Sequence, residues 1–501
     1  MILSRYTAKH ILNAAVSVPD EELFELPEKV LQFGTGVMLR GLPDYFIDKA
    51  NRQGIFNGRV VVVKSTAQGD SSAFERQDGL YTHCIRGIEN GRLIEENSIN
   101  ASISRVLHAG EDWKEVLECA HNPHLAIIVS NTTEVGIELV NDDIRQYPPK
   151  SFPGKLLAFL YERFRAFAGS EQSGMVIVPT EMIPDNGDKL QAIVFELAHL
   201  NGLEDSFIEW LERCNRFCNS LVDRIVSGKP ETETLERLEA SFGYTDQLLI
   251  VSEPHGFWAI EGNDDVKTIL SFSKVDKGVV IEPSIELYRE LKLRLLNGTH
   301  TFACGLAFLS GFETVKQCMD DETLSPYITE LMLEEIAMAI PYPVAQQVAN
   351  DYARDVVSRF RNSYLNHQWL SIALQYSSKF RKRCIPLIQT YYERHHAVPE
   401  AMALGFAAYL CFTRPVTKKE NQFFGEFNGL PYLLQDEEAA VFYRRWTRLT
   451  TAALVQEVLQ DDQYWGTDLG LLPGFGKAVL EKLNLLLAGE VREAIRLHAN
   501  A

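Results

Sequence analysis

The sequence predicts an α/β plus α protein: an N-terminal Rossmann-type, doubly wound parallel sheet followed by an all-helical C-terminal domain. Three observations carry this. Apolar β-branched runs alternate with helical periodicities through about residue 230. The first of these runs leads directly into Gly34-Thr35-Gly36. Beyond about residue 285 strand signals vanish and helical periodicity continues to the end. The chain of 501 residues then divides into a dinucleotide-binding domain, 1–245, and a mostly helical substrate domain, 246–501.

Taken in order, Lys29 to Phe33 reads as a short strand, running through Gly34-Thr35-Gly36 into Val37-Met38-Leu39-Arg40 and a helix over about 45–53. Strand, Gly-x-Gly and helix let backbone approach a pyrophosphate and turn a helix N-terminus toward its charge. The third glycine of the full fingerprint is missing, so the same residues also describe a tight turn. Arg59 to Val63 suits a buried parallel strand and ends in Lys64-Ser65-Thr66. An acidic residue there favours NAD, whereas Lys64 suits a 2′-phosphate, so NAD and NADP both stay open. Short strands follow over 77–100, then a helix over about 111–120. The strand His124 to Val129 ends in Ser130-Asn131-Thr132-Thr133-Glu134, polar residues of the kind that meet ligands past strand ends in open α/β sheets. After a helix over about 155–168 and a strand over 174–178, Asn186-Gly187 is either a turn or an amide presented to a site. A helix read over 209–226 carries Asp223 beside Arg224, ordinarily a surface ion pair. The strand 247–251 marks the junction, and the polar stretch around 417–421 reads as a linker between two of the later helices.

Composition sets limits. Hydrophobic residues at 46% and charged residues at 23% are ordinary for a soluble globular protein. A net charge of −19 argues against nucleic acid or an anionic membrane as main partner. It leaves room for a small anionic substrate in a local cationic pocket. The 8 cysteines are scattered, without CxxC or zinc-like spacing, which fits a reducing compartment and disfavours zinc alcohol dehydrogenase chemistry. No signal-type core opens the chain, and the longest apolar run, Ala401 to Phe412, is too short to span a bilayer. The expectation is a cytoplasmic protein, monomeric or a small homo-oligomer, with a small-molecule partner.

The chemistry concentrates in Lys292 to His300, KLRLLNGTH. At about 100° per residue, Lys292 and His300 fall about 80° apart with Asn297 one turn before His300, so all three line one side of a helix end. Desolvation disfavours the charged form of a lysine in a closed site, the condition for acid or base work near neutral pH. The same run also describes an amphipathic helix with solvated cations, ended by Asn-Gly.

Together the stretches LQFGTGVMLRG, QDGLYTHCIRG, SNTTEVGI, LVDRIVSG, ELKLRLLNGTHT and RFRNSYLNHQWLSIAL resemble the long-chain polyol dehydrogenase (mannitol dehydrogenase) family over nearly the whole chain. Its signature, Lys, four residues, Asn, two residues, His, is met at Lys292, Asn297 and His300. The likeness is closest to the branch that reduces tagaturonate to altronate. The resemblance implies reversible, metal-independent hydride transfer between NAD and a sugar-derived ketone or alcohol, in a cleft between two domains. It makes Lys292 the general acid/base, Asn297 and Asn186 the amides that hold a developing alkoxide, His300 the orienter of a substrate hydroxyl, and Asp223 a neighbour that tunes the lysine. Phe33, Gly34, Gly36, Arg40, Lys64, Asn131 and Thr132 are the implied cofactor contacts.

Departures from the family pattern bear on substrate. A glutamate one turn before the lysine in mannitol-type members is Arg289 here, and an arginine of the mannitol-type pocket aligns with Ser371. Gly298-Thr299 and the stretch Phe302 to Gly305 also differ from the tagaturonate-reducing pattern. A sugar acid needs a cation for its carboxylate, for which Arg361, His367 and Lys379 are the candidates. The alternatives are fructuronate/mannonate or mannitol/fructose chemistry within the family, or a dinucleotide-binding sensor without catalysis.

Overall fold

The computed structural model describes residues 1–65, 71–89, 92–132, 136–362, 364 and 367–498. Contacts divide the chain into two compact units, Met1–Ile285 and Glu286–Ala501. The division falls later than the 245/246 boundary read from sequence, because the stretch between supplies strands to sheets of the first unit.

The first unit contains β1 (Glu28–Phe33), β2 (Arg59–Lys64), β3 (Tyr81–Glu89), β4 (Arg92–Asn100), β5 (Ile103–His108), β6 (Ile127–Ser130), β7 (Val176–Pro179), β8 (Arg216–Phe217), β9 (Ser220–Asp223), β10 (Val226–Gly228), β11 (Ile250–Ser252), β12 (Phe257–Glu261) and β13 (Val279–Glu282). Six of them form a parallel sheet in the order β5-β2-β1-β6-β7-β8. Among these six, chain order runs third, second, first, fourth, fifth, sixth, the dinucleotide-binding arrangement, with its reversal between β1 and β6. Apolar side chains alternate between two cores: Val60 and Val62 enter one, Val61 and Val63 the other. Both faces are therefore buried, which is why these strands read as continuous apolar runs. One face carries the helices Phe152–Ala166, Asn186–Leu200 and Asp205–Cys214. The other carries the helix Pro43–Asn51 and a second sheet, β13-β12-β9.

That second sheet corrects the helix read over 209–226. The helix stops at Cys214, and Asn215 turns extended while its side-chain oxygen accepts from the Met175 N–H at 3.1 Å. Asp223 then lies on β9, opposite Phe257 of β12. Pairing with β12 outweighs the local helical periodicity.

The second unit is helix-rich around one large core. At its centre the helix Thr299–Leu309 crosses Glu400–Phe412, which is apolar on all sides and buried throughout except at its start and at Cys411. The crossing is close: a Cβ on Gly305 would lie 2.7 Å from the Ala408 carbonyl oxygen, and one on Gly405 2.8 Å from Phe302. Gly305, one of the departures noted in the sequence, thus fits a packing need. The polar stretch read as a linker is a three-stranded meander, β14 (Thr417–Lys419), β15 (Gln422–Phe427) and β16 (Leu430–Leu433). Asn428-Gly429 closes its second hairpin with both residues at positive φ, the Asn-Gly signal of a two-residue turn. The unit is therefore helical apart from this one sheet. No helix among the described residues is long and apolar enough to cross a membrane.

Asp44, in the helix Pro43–Asn51, is fully buried, and among the described residues its carboxylate accepts only a 3.3 Å bond from Gln32 Nε2. Burial pushes its carboxyl up to about 7. A raised folded-state value favours the native state at low pH, and that contribution fades as pH rises from about 4 toward 7, by up to roughly 1.4 kcal/mol per pH unit. Asp44→Asn cannot ionise. Its stability relative to wild type should therefore improve between pH 5 and pH 7.5, measured by urea midpoints. A difference that does not move with pH would contradict the assignment.

Candidate active site

The first unit offers a backbone cradle at the point where strand order reverses. Gly34 N–H donates to the Val63 carbonyl at 3.0 Å, and Asn131 N–H donates to the Phe33 carbonyl at 3.1 Å. Gly34 has φ +126°, and a Cβ there would lie 2.9 Å from the Asn131 carbonyl oxygen. Only glycine fits. Nothing stands within 4 Å of the Cβ position on Gly36, and the helix Val37–Gly41 begins at the next residue. Close backbone approach beside open space at a helix start suits a pyrophosphate. These residues fit a dinucleotide.

Other expected contacts are placed differently. The Phe33 ring is buried in the core against Phe152, so this residue offers only backbone. Arg40 is buried against the rings of Phe74 and Tyr81 and donates to the Leu248 carbonyl at 2.5 Å. It joins strands to helix and is directed away from a cofactor role. Lys64 ends β2, buried, where the sequence reading set it; Thr66 lies outside the described residues. Asn131 donates through its side chain to Thr180, to the carbonyl at 3.1 Å and the hydroxyl at 3.0 Å. Thr132 donates to Glu181 Oε1 from its N–H at 2.8 Å and its hydroxyl at 2.9 Å. Glu181, which sequence reasoning passed over, thereby fixes the backbone past β6; its signal was an acid just past the next strand. Thr133 and Glu134 lie outside the described residues.

Asn186 does not present a free amide. Its Nδ2 donates to the carbonyls of Pro179, Glu181 and Ser220 at 3.0–3.1 Å. Its Oδ1 accepts from the N–H of Gly187 and of Ser220, each at 2.9 Å. The side chain ties the start of the helix Asn186–Leu200 to β7 and β9 and has no capacity left for an alkoxide. Asp223 is buried on β9, with Oδ2 3.5 Å from His255 Nε2.

In the second unit, Lys292 to Gly298 forms a π-helix that continues as the α-helix Thr299–Leu309. This changes the expected geometry. In an α-helix, residues five apart point about 140° away from each other. Closing each turn one residue later, through i→i+5 bonds, brings Asn297 back over Lys292. Lys292 and Asn297 are both half-buried. Among the described residues nothing hydrogen-bonds to the Asn297 side chain; its backbone carbonyl accepts from the Thr301 hydroxyl at 2.7 Å. His300 is 4% exposed. Its ring stacks on Phe360 with centroids 4.3 Å apart and meets the rings of His367 at 4.9 Å and Trp369 at 6.0 Å edge-on.

The π turn is held by charge. Arg294 pairs with Glu290 at 2.8 Å and donates to the carbonyls of Lys382 and Arg383 at 2.8 and 3.0 Å. Of the three cations expected for a substrate carboxylate, His367 touches His300. Lys379 lies on the helix Tyr376–Arg383 and donates to the Ile372 carbonyl at 2.9 Å. Arg361 follows the helix Gln346–Phe360 with its side chain exposed. Among the described residues no group of three or more His, Cys, Asp and Glu is placed to hold a metal ion.

Comparison with known proteins gives concordant findings. The mannitol dehydrogenase Rossmann domain matches residues 28–274, and the mannitol dehydrogenase C-terminal domain matches residues 284–487. The altronate oxidoreductase of Bacillus subtilis is 37% identical over 465 residues, 92% of this chain and 93% of its own. That of Halalkalibacterium halodurans is 36% identical over 480 residues, 94% of this chain and 93% of its own. Among solved structures, Pseudomonas fluorescens mannitol 2-dehydrogenase, in ternary complex with NAD and D-mannitol, has a TM-score of 0.71 at 22% identity, covering 99% of each chain. A substrate-free D-sorbitol dehydrogenase has a TM-score of 0.76 at 19% identity, covering 99% of this chain and 100% of its own. The two structures show the shared fold.

The two asparagines separate by experiment. Asn186→Ala takes the side-chain acceptor from the N–H of Gly187 and of Ser220 and removes the amide that ties three carbonyls together, and should lower unfolding free energy by about 2–4 kcal/mol. Asn297→Ala should leave stability within about 1 kcal/mol and cut turnover on a ketose about 10²-fold or more. Denaturation curves and steady-state rates on both variants decide it. The reverse pattern would exchange their roles.

Proposed function

The chain belongs to the mannitol dehydrogenase family, oxidoreductases acting on a CH–OH group, and we propose that its reaction is the reversible, NAD-dependent and metal-independent reduction of a hexuronate ketone, tagaturonate to altronate. One observation supports the catalytic half of this reading: the π turn that brings Asn297 round to the side of Lys292, with no hydrogen bond to the Asn297 side chain among the described residues. Support for the substrate comes from similarity to altronate oxidoreductases over nearly the full length of both chains. Support for the cofactor comes from the cradle at Gly34 and Gly36, and from the NAD bound by the Pseudomonas fluorescens neighbour of the same fold.

A nicotinamide cofactor, when bound in the first unit, supplies the hydride for reduction and accepts it in oxidation. The remaining work belongs to side chains of the second unit. The Lys292 ammonium gives a proton to the ketone oxygen as the carbon is reduced, and recovers it in the reverse direction. The Asn297 amide donates to that oxygen while it carries charge, an interaction strongest in the transition state. His300, stacked on Phe360, bonds a neighbouring substrate hydroxyl and orients the substrate.

Lys292→Ala should lower turnover at least about 10²-fold, the scale of a positioned acid/base, with cofactor affinity intact by fluorescence titration. A near-normal rate would remove the lysine from the mechanism. Following loss of reduced-cofactor absorbance with tagaturonate, fructuronate and fructose, each with NADH and NADPH, tests substrate and cofactor together. The greatest kcat/KM is expected for tagaturonate with NADH, unchanged by a strong chelator. No turnover of any ketone despite tight NADH binding would point to a sensor instead.

A further inference from the structure

Arg383 ends the helix Tyr376–Arg383, and the scheme above does not use it. That helix is tied to Thr299–Leu309 by Tyr376, whose hydroxyl donates to the Thr301 carbonyl at 2.8 Å and accepts from the Gly305 N–H at 3.0 Å. Tyr376, Lys379 and Arg383 follow one another at three and four residues, so they share a helix face. At the end of that face Arg383 Nη1 donates to Thr301 Oγ1 at 3.3 Å. Thr301 directly follows His300, and its hydroxyl donates to the Asn297 carbonyl.

The surroundings of Arg383 differ from those of its neighbours. Arg294 pairs with Glu290, and Arg445 pairs with Glu457 and Asp461. Among the described residues no carboxylate pairs with Arg383, although burial pulls its guanidinium below the usual arginine range. None of its nitrogens is sealed from solvent without a partner, so Nε and Nη2 stay reachable. A half-buried, unneutralised guanidinium with open donors matches a carboxylate, which it binds through two parallel bonds.

We infer that Arg383, seated on Thr301 one turn from Asn297, recognises the terminal carboxylate of a keto sugar acid. The inference rests on the proposed class of substrate. Dimensions agree with it. In a 5-keto hexuronate three carbons separate the carboxylate from the ketone carbon, about 5 Å in an extended chain. Asn297 and Thr301 stand one turn apart, about 5.4 Å of an ideal helix. With the carboxylate on Arg383, the inference puts the ketone oxygen at the Asn297 amide. Arg383 acts through binding and takes no part in proton transfer.

The test is calorimetric titration of the NADH-bound enzyme with altronate and with altritol, the uncharged hexitol, for wild type, Arg383→Gln and Arg383→Lys. Arg383→Gln should weaken altronate at least about 30-fold, the usual consequence of losing a charge-assisted pair, while altritol changes less than about 3-fold. Arg383→Lys keeps the charge without the fork and should lose about 10-fold for altronate alone, so it serves even if the glutamine variant does not fold. KM for tagaturonate should rise in step with these losses, with kcat changed far less. Equal losses for both ligands, or unchanged altronate affinity, overturn the inference. If the enzyme reduces tagaturonate while Arg383→Gln changes nothing, the proposed reaction stands and Arg383 falls. If altronate binds through Arg383 but no ketone is reduced, the reverse holds.

Discussion

One constraint governs the chemical half of this protein: the seven residues Lys292–Gly298 are wound with i→i+5 bonds. Such winding is less favourable than α-helix and persists where packing holds it. Here Arg294 of the turn pairs with Glu290 of the preceding helix and is anchored onto backbone carbonyls at the end of the Tyr376–Arg383 helix. A second π turn, Leu331–Ile336, packs against the first. In it Glu335 accepts from the N–H of Ala401 and of Met402, each at 2.8 Å, so it caps the start of the central apolar helix. The widened turn is thus fixed from both sides.

The first unit solves a different problem, which is to bring backbone near an anion without side chains in the way. Its solution is glycine at the end of β1, with neighbouring polar groups bound to one another. Asn131 holds Thr180, Thr132 holds Glu181, and Asn186 holds three carbonyls. These groups build a rigid ledge, and the ledge leaves ligand contact to main-chain N–H groups and the open space at Gly36. Asn186 and Asn297 are chemically the same side chain. Their difference lies wholly in whether buried carbonyls have already claimed the amide.

That difference marks the limit of what the residues reveal on their own. Strand identity in the parallel sheet was legible, because runs such as Val60 to Val63 are buried on both faces and carry no competing period. The Gly-x-Gly turn was legible, whereas spacing alone left Lys292, Asn297 and His300 open to an amphipathic-helix reading, and the family resemblance singled them out. Strand β9 was hidden, since Ser220 to Asp223 is too short to state a period and owes its conformation to β12. The meander was overlooked although Asn428-Gly429 announced it, since its flanking strands are short and exposed. The π turn left no signal, because hydrogen-bond register is not encoded in apolar spacing. Arg40 was implied as a cofactor contact by the resemblance, and its buried contacts with Phe74, Tyr81 and the Leu248 carbonyl could not be read from the sequence.

For a chain of net charge −19, binding a sugar acid as proposed means overcoming its own field. The relevant quantity is the local potential, and it is shaped by which charges are neutralised. Glu290 is cancelled by Arg294. Arg381 lies over the Tyr464 ring, 5.1 Å from its centroid, while Arg383 has no carboxylate partner among the described residues. Walls of low polarisability, such as Phe360 and Trp369 around His300, weaken screening of the charges that remain. Charge sign around Arg383 is therefore set by pairing more than by composition, and the carboxylate of a substrate of the proposed class would complete the pairing.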